Sequence, residues 1–233
     1  MMQAWAWIRH QFEITFIVDS RYRLFVMGLG NTLTIVMGAL VIGVVLGSLV
    51  AIVRVYHARE GRLNLLNAVC GAYLAVFRGT PIVVQLLIMY YIVFVFVKNG
   101  IVIAIIAFGI NSGAYVAEII RAGIMAVDVG QTEAGRSLGL SQNKTMRLIV
   151  LPQAIKNILP ALGNELITLL KETSVAGYVA IRDLTRAGEN IRILTMEPYF
   201  SLLFVALVYF LLVMGITRLL RLLERRLARS DRG

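Results

Sequence analysis

The sequence predicts an all-α, polytopic membrane protein with five transmembrane helices and one long polar passage between the third and fourth. Three observations carry this. The 233-residue chain is 59% hydrophobic with a mean hydropathy of +0.80, whereas soluble domains are nearer half apolar. Its apolar residues gather into runs of spanning length rather than into short amphipathic stripes. Its net-basic connecting segments, 54–80, 121–156 and 218–233, alternate with segments whose charges nearly balance, as the positive-inside rule requires of a multi-pass protein. The net charge of +10 therefore reads as a positive membrane face, not as a nucleic-acid surface.

Residues 1–21 hold Trp5, Trp7, Phe12 and Phe16 among Arg9, His10, Glu13 and Asp19. Without a continuous apolar core they do not form a cleaved signal peptide, and the aromatics suit an external helix lying at the membrane surface. The first span, Leu24 to Val53, carries no charge until Arg54, and its Gly43-x-x-x-Gly47 spacing permits close helix contact. Leu63 to Phe77 reads as a helix at the interface, flanked by Arg54, Arg59, Arg62 and Arg78. Its Cys70, the single cysteine, reads as a packing residue. Pro81 suits the first turn of the second span, Ile82 to Val97, whose lone interior polar residue is Gln85.

The third span, Ile101 to Ala122, carries Asn111, Ser112, Glu118 and Arg121 in its second half. Glu118 and Arg121 sit three apart and pair on one helix face. The fourth span, Ala161 to Ile181, is opened or bent by Pro160 and is unusually polar, with Asn164, Glu165, Thr168, Lys171, Glu172, Thr173 and Ser174. An ionisable side chain at bilayer depth costs about 2.5–3.5 kcal/mol on insertion scales, so such residues mark a pathway by default. Glu165 and Glu172 are seven apart and share a face, with Thr168 beside them. The substrate-contact candidates are Glu165, Glu172 and Thr168, with Asn111, Ser112, Thr80 and Gln85 available to complete a pocket. A buried structural network is the alternative for the same residues. Residues 182–197 balance Arg182, Arg186 and Arg192 against Asp183, Glu189 and Glu197 and read as an external loop. The fifth span, Pro198 to Thr217, leads into a basic tail, 218–233.

The polar passage, Asp128 to Pro152, reads DVGQTEAGRSLGLSQNKTMRLIVLP. Good helix formers precede Gly139, which ends that helix. Ser141 caps a second helix, and Pro152 begins a further element. Glu133-Ala134-Gly135, then Gly139, then Ile149-Val150-Leu151-Pro152 resembles the EAA loop of bacterial ABC importer permeases. That pattern is Glu-Ala-Ala, three residues, Gly, nine residues, Ile-x-Leu-Pro, and Gly135 stands here for the second alanine. Arg78-Gly79-Thr80-Pro81 followed by Val83-Val84-Gln85 is similar to the polar amino acid branch of that family.

The resemblance implies a type I ABC importer permease fold, with Glu133, Ala134, Gly135, Ser137, Leu138 and Gly139 on a coupling helix that docks on a cytoplasmic ATPase dimer. It implies two permease subunits (the same chain twice or a paralogue pair), an external binding protein, and a bacterial inner membrane location. It also places ATP and Mg on the partner ATPase, with no cofactor in this chain and no catalysis by it. The chain itself has no Walker A sequence. The paired carboxylates favour a basic amino acid such as arginine, lysine or histidine; a neutral one such as glutamine follows if a cation within the protein neutralises one of them. A rival of another class is a proton-coupled secondary transporter using Glu118, Glu165 and Glu172, which leaves the docking pattern without a use. A membrane enzyme lacks a nucleophile–base pair or metal cluster to support it.

With five spans, the arginine-rich segments 54–80, 121–156 and 218–233 all fall on one side, which puts the N-terminus outside and the polar passage in the cytoplasm. A cysteine at Ser141 is therefore expected to react with an impermeant thiol reagent only from the cytoplasm, and one at Glu189 only from outside. The reverse labelling would invert the topology.

Overall fold

The computed structural model describes residues 2–229, and these are helical with no strand among them. Arg232 and Asp231 of the expected tail lie outside the described residues. In chain order the helices are α1 (Met2–Phe12), α2 (Tyr22–Glu60), α3 (Asn64–Gly79), α4 (Ile82–Ile88), α5 (Gly100–Met125), α6 (Val129–Ser137), α7 (Gln142–Thr145), α8 (Leu151–Glu172), α9 (Leu184–Thr195) and α10 (Pro198–Arg229). Short π-helical turns follow α1, α4 and α7, and a 3-10 turn, Thr173–Val179, follows α8.

Three helices, α2, α5 and α10, are long and apolar enough to cross a membrane, and α3 with the α4 segment forms a fourth candidate bent by 109°. The bend falls at Thr80-Pro81, where proline supplies no amide and pushes its predecessor out of the helical region. α8, the expected fourth span, has 22 residues, but its polar positions keep it outside that group. The helix also starts earlier than expected, at Leu151, and passes through Pro160. It ends at Glu172 rather than Ile181. The following Thr173 turns its hydroxyl to the Leu170 carbonyl at 2.8 Å, and Ala180 takes a left-handed conformation at φ 59°. Hydroxyl side chains compete for the helical carbonyls in this way.

By contacts the chain divides into two compact units. The first comprises Met1–Ala39, Ile82–Phe108 and Leu169–Gly215; the second comprises Leu40–Pro81, Gly109–Thr168 and Ile216–Gly233.

In the first unit the core is Phe25, Leu184, Ala187, Ile191 and Val205, with Phe16 and Phe204 packed on it. The rings of Phe16, Phe25 and Phe204 form a trio with centroids 4.7 to 5.6 Å apart, in which Phe204 meets each of the other two edge to face, the arrangement favoured by the ring quadrupole. The segment 182–197, expected as a loop, is mostly the helix α9. Its buried residues Leu184, Ala187, Gly188 and Ile191 recur at helical spacing, and Asp183 caps it by accepting from the Arg186 amide at 2.9 Å and the Thr185 amide at 3.2 Å. Burial pushes the Asp183 carboxyl above its usual range, and these amides pull against that rise. The start of α9 is fixed to α2 at successive points. Asn31 donates to the Arg182 carbonyl at 2.8 Å and Thr32 accepts from the Leu184 amide at 3.1 Å. Gly28 leaves room for the Asp183 carbonyl, which a Cβ would meet at 2.7 Å.

In the second unit α5 is the helix on which the others pack. α2 crosses it through Gly43 and Gly47, as the small-residue spacing predicts. A Cβ at Gly43 would stand 3.0 Å from Ser112 Oγ; one at Gly47 would stand 2.7 Å from Val116 Cβ and 2.8 Å from the Gly113 carbonyl oxygen. α3 reaches α5 through Tyr73, whose hydroxyl donates to the Ile110 carbonyl. Val50, Leu74, Ala114 and Ala117 are buried between these helices with Cys70 against them, so the cysteine is a packing residue. α8 meets α5 where Gly123 admits Ile158, and meets α10 where Gly163 admits Leu220.

Gly47→Ala would force a methyl onto backbone, and overpacking of this kind costs about 1–3 kcal/mol. Gly30, with nothing within 4 Å of its Cβ position, has room for alanine, which gains up to about 1 kcal/mol of helix propensity. The thermal unfolding midpoint in detergent should fall for Gly47→Ala and hold or rise for Gly30→Ala. Equal midpoints would show that α2 and α5 do not depend on the missing side chain.

Candidate functional site

The membrane-depth polar residues resolve into a buried pair and several separate groups. α5 presents Ser112 and α8 presents Glu165, both in the second unit. The Ser112 hydroxyl donates to Glu165 Oε1 at 2.7 Å. Glu165 is only 8% exposed, and the serine is its one hydrogen-bond donor among the described residues. The glycine at position 43 holds the backbone of α2 against Ser112, so the position of this hydroxyl is set by helix packing. A carboxylate accepts at several lone-pair positions, and one hydroxyl leaves most of that capacity unused. Burial makes a further donor or a cation there valuable.

Asn111, the neighbour of Ser112, is buried and donates to the Phe77 carbonyl at 3.0 Å. That carbonyl lies near the end of α3, so the asparagine ties α5 to the start of the bend. Thr80 returns its hydroxyl to the Val76 carbonyl at 2.8 Å. Thr168 is exposed on α8. Gln85, buried in α4, and Glu172, the last residue of α8, belong to the first unit.

Glu118 and Arg121 pair as expected, with Arg121 Nη2 at 2.9 Å and Nε at 3.3 Å from the carboxylate oxygens. Arg78 joins them at 3.7 Å from Glu118, a partner that sequence distance concealed. Its guanidinium also lies 5.7 Å from the Tyr115 ring centroid. In the first unit Asp183 is wholly buried. An Asp directly before a helical apolar stripe was the available signal for that cap.

The polar passage forms two short helices. Asp128 caps α6 by accepting from the Gly130 amide at 2.6 Å. At the other end Gly139 is left-handed at φ +80°. Its amide bonds the Arg136 carbonyl at 3.0 Å and the Leu140 amide bonds the Gly135 carbonyl at 3.1 Å, the pair of bonds that defines a Schellman stop. Ser141 then caps α7, accepting from the Lys144 amide at 3.4 Å. Pro152 does not open a separate element: Thr145 and Leu151 on either side of the π-helical turn Met146–Val150 are both right-handed helical, so α7 runs on through that wider turn into α8, and the turn stands next to the proline's missing amide. Glu133, Ala134, Ser137, Leu138 and Gly139 are exposed, Leu138 at 81%, whereas Gly135 is buried. A Cβ at Gly135 would meet Thr145 Cγ2 at 2.7 Å and Ile149 Cδ1 at 2.8 Å. The small residue therefore lets the element after Ser141 fold back against α6, leaving a knob of other residues in the open.

Known proteins match this arrangement. The chain is 40% identical over 192 residues to a protein of Rickettsia conorii described as the glutamine transport system permease protein GlnP, covering 81% of this chain and 86% of that protein. It is 38% identical over 207 residues to the arginine transport system permease protein ArtQ of Bacillus subtilis, covering 88% of this chain and 92% of that one. The crystal structure of an amino acid ABC transporter with histidines contains a chain 41% identical to this one, superposing with a TM-score of 0.83 over 91% of this chain and 98% of its own. Residues 43–229 match the family described as the binding-protein-dependent transport system inner membrane component. The chain belongs to that family and is the permease subunit of an amino acid ABC importer.

Proposed function

We propose that this permease carries a basic amino acid across the bacterial inner membrane, by alternating access driven from partner ATPase subunits. Binding-protein and ATPase partners follow from the family. In this reading the N-terminus and residues 1–21 are external, with α1 at the membrane surface. The passage 128–152 and the basic tail 218–233 are cytoplasmic. ATP and Mg sit on the ATPase, and this chain's work is conformational rather than catalytic.

The observation that carries the substrate class is the buried Glu165 carboxylate, which has the Ser112 hydroxyl on one oxygen and no ion pair among the described residues. A cationic group on the substrate satisfies such a carboxylate, and an anion is repelled by it. The name of the Bacillus subtilis relative, an arginine permease, agrees with that class. Import of a neutral polar amino acid is the second reading, favoured by the name of the Rickettsia conorii relative, a glutamine permease; there Glu165 meets only the α-ammonium. Glu172, Asn111, Thr80, Gln85 and Thr168 are proposed as further substrate contacts along the pathway.

The exposed face of α6 supports docking on the ATPase. Glu133, Ala134, Ser137, Leu138 and Gly139 form it, and a hydrophobic residue as open as Leu138 needs a partner surface to leave water. Gly135 contributes by letting that face be built.

Two measurements test these roles. In proteoliposomes holding the complete transporter, Glu165→Gln should lower arginine uptake roughly 30- to 150-fold, about 2–3 kcal/mol for a charged hydrogen bond. Glutamine uptake, where present, should fall much less. Equal loss for both, or a wild type that carries only neutral or acidic amino acids, would reject the basic class.

Glu133→Lys and Leu138→Glu should leave the chain inserted and thermally unchanged while binding-protein-stimulated ATPase activity drops at least about tenfold, since a reversed charge at a docking face opposes its partner. Gly135→Ala should instead lower the thermal midpoint as well, and Ile149→Val in the same chain should restore part of it by removing Cδ1. Normal stimulated activity in both surface variants would remove the docking role.

A further inference from the structure

Beside the Ser112–Glu165 pair, the second unit contains a different polar cavity of about 650 Å³. Arg54 of α2, Gly71 and Arg78 of α3, and Tyr115, Glu118 and Arg121 of α5 line it. Three guanidiniums face one carboxylate, an excess of two positive charges. Glu118 is already occupied. It holds Arg121 at 2.9 Å and Arg78 at 3.7 Å. Arg54 is near enough to add to the positive field at Glu118, but it makes no ion pair within 4 Å among the described residues, and its Nε is buried without a hydrogen-bond partner. Gly71 leaves space beside it, since a Cβ there would stand 3.4 Å from Arg54 Nη1. A buried, unsatisfied N–H on a charged group is costly, and the missing acceptor should be an anion.

The level of the cavity says which anion. Arg54 is the first charge after the uncharged stretch from Leu24 to Val53, so it stands where the hydrocarbon ends and headgroups begin. Arg78 and Arg121 close α3 and the third span on the same side by the positive-inside count. Basic pockets between spanning helices at that depth suit lipid phosphate, and the planar guanidinium fork matches phosphate oxygens in pairs.

We propose that this cavity binds the phosphate of an anionic phospholipid of the cytoplasmic leaflet, with Arg54 as its principal ligand and Arg78 and Arg121 held beside it by Glu118. The leaflet assignment rests on the orientation proposed above; the anion site does not.

The full transporter complex, delipidated in detergent, should be offered equal amounts of phosphatidylglycerol and phosphatidylcholine with matched chains, and retained lipid counted by native mass spectrometry. The wild type should retain phosphatidylglycerol about 30-fold over phosphatidylcholine, for roughly two net charges near the headgroup at about 1 kcal/mol each. Arg54→Gln, with one charge fewer, should cut that preference to about fivefold, while Arg59→Gln, on the exposed stretch of α2 beyond the cavity, should preserve it. Arg54→Lys, which keeps the charge and loses the fork, should fall between, and serves if the glutamine variant does not assemble. Excess inorganic phosphate, against chloride of the same ionic strength, should leave the lipid bound; if phosphate alone strips it, the site reads free phosphate and the lipid assignment falls. A wild type without preference, or an Arg54→Gln complex that retains lipid like the wild type, overturns the proposal. Retention is read without substrate or ATP, so its failure leaves the transport reading standing, and failed arginine uptake leaves retention standing.

Discussion

The close approach of α2 to α5 at Gly43 and Gly47 is the contact on which the second unit depends. In a bilayer, apolar side chains gain little by leaving lipid for one another, so helices associate where small residues let backbones touch and dispersion accumulate. Here the missing side chains bring α2 within reach of Ser112, Gly113 and Val116. With α5 held on that side, α3 docks on it through the Tyr73 hydroxyl and the Asn111 amide, and α8 through Gly123 and the Ser112–Glu165 hydrogen bond. Glycine packing thus precedes the polar chemistry: it sets the distance at which a serine and a glutamate on different helices can meet.

The same logic governs the polar passage, with water in place of lipid outside it. Two caps and a left-handed glycine fix where α6 starts and stops and where α7 starts, and Gly135 fixes how closely the following chain returns. The departure from the second alanine of the EAA pattern is thereby explained by local packing, because Thr145 and Ile149 occupy the space an alanine methyl would need. What remains exposed is a small face whose geometry is set by the packing of Gly135 against Thr145 and Ile149.

Charge is distributed by a comparable economy. Glu118 pairs with two arginines at once, which lets them stand close together although a net positive charge remains, while Glu165, on α8, is matched with a neutral hydroxyl. One carboxylate is spent inside the protein and the other retains capacity for a ligand. Both arrangements start from a glutamate carboxylate, and their difference lies in which helices bring cations near.

The sequence by itself determined the membrane class, because hydropathy and run length depend on composition along the chain and need no partner. It determined the start and stop of α6 and the start of α7 equally well, since the caps and the glycine stop act over four or five residues. The Glu118–Arg121 pair and the Gly43-x-x-x-Gly47 contact were legible for the same reason: both lie on one helix face at fixed spacing. Other features depended on residues distant in sequence. Ser112 meets Glu165 across 53 positions and Arg78 meets Glu118 across forty, and no periodicity reports such pairs. The helical α9 was missed because alternating charges read as a loop, and the buried Asp183 cap with the contacts of Asn31 and Thr32 to residues 182 and 184 decided otherwise; the fourth span was carried on to Ile181, whereas α8 ends at Glu172 and Thr173 turns its hydroxyl to the Leu170 carbonyl. Local chemistry specifies a helix end where a cap or a left-handed glycine marks it, whereas only tertiary packing decides which buried charges are answered from within the protein and which are left for something else to answer.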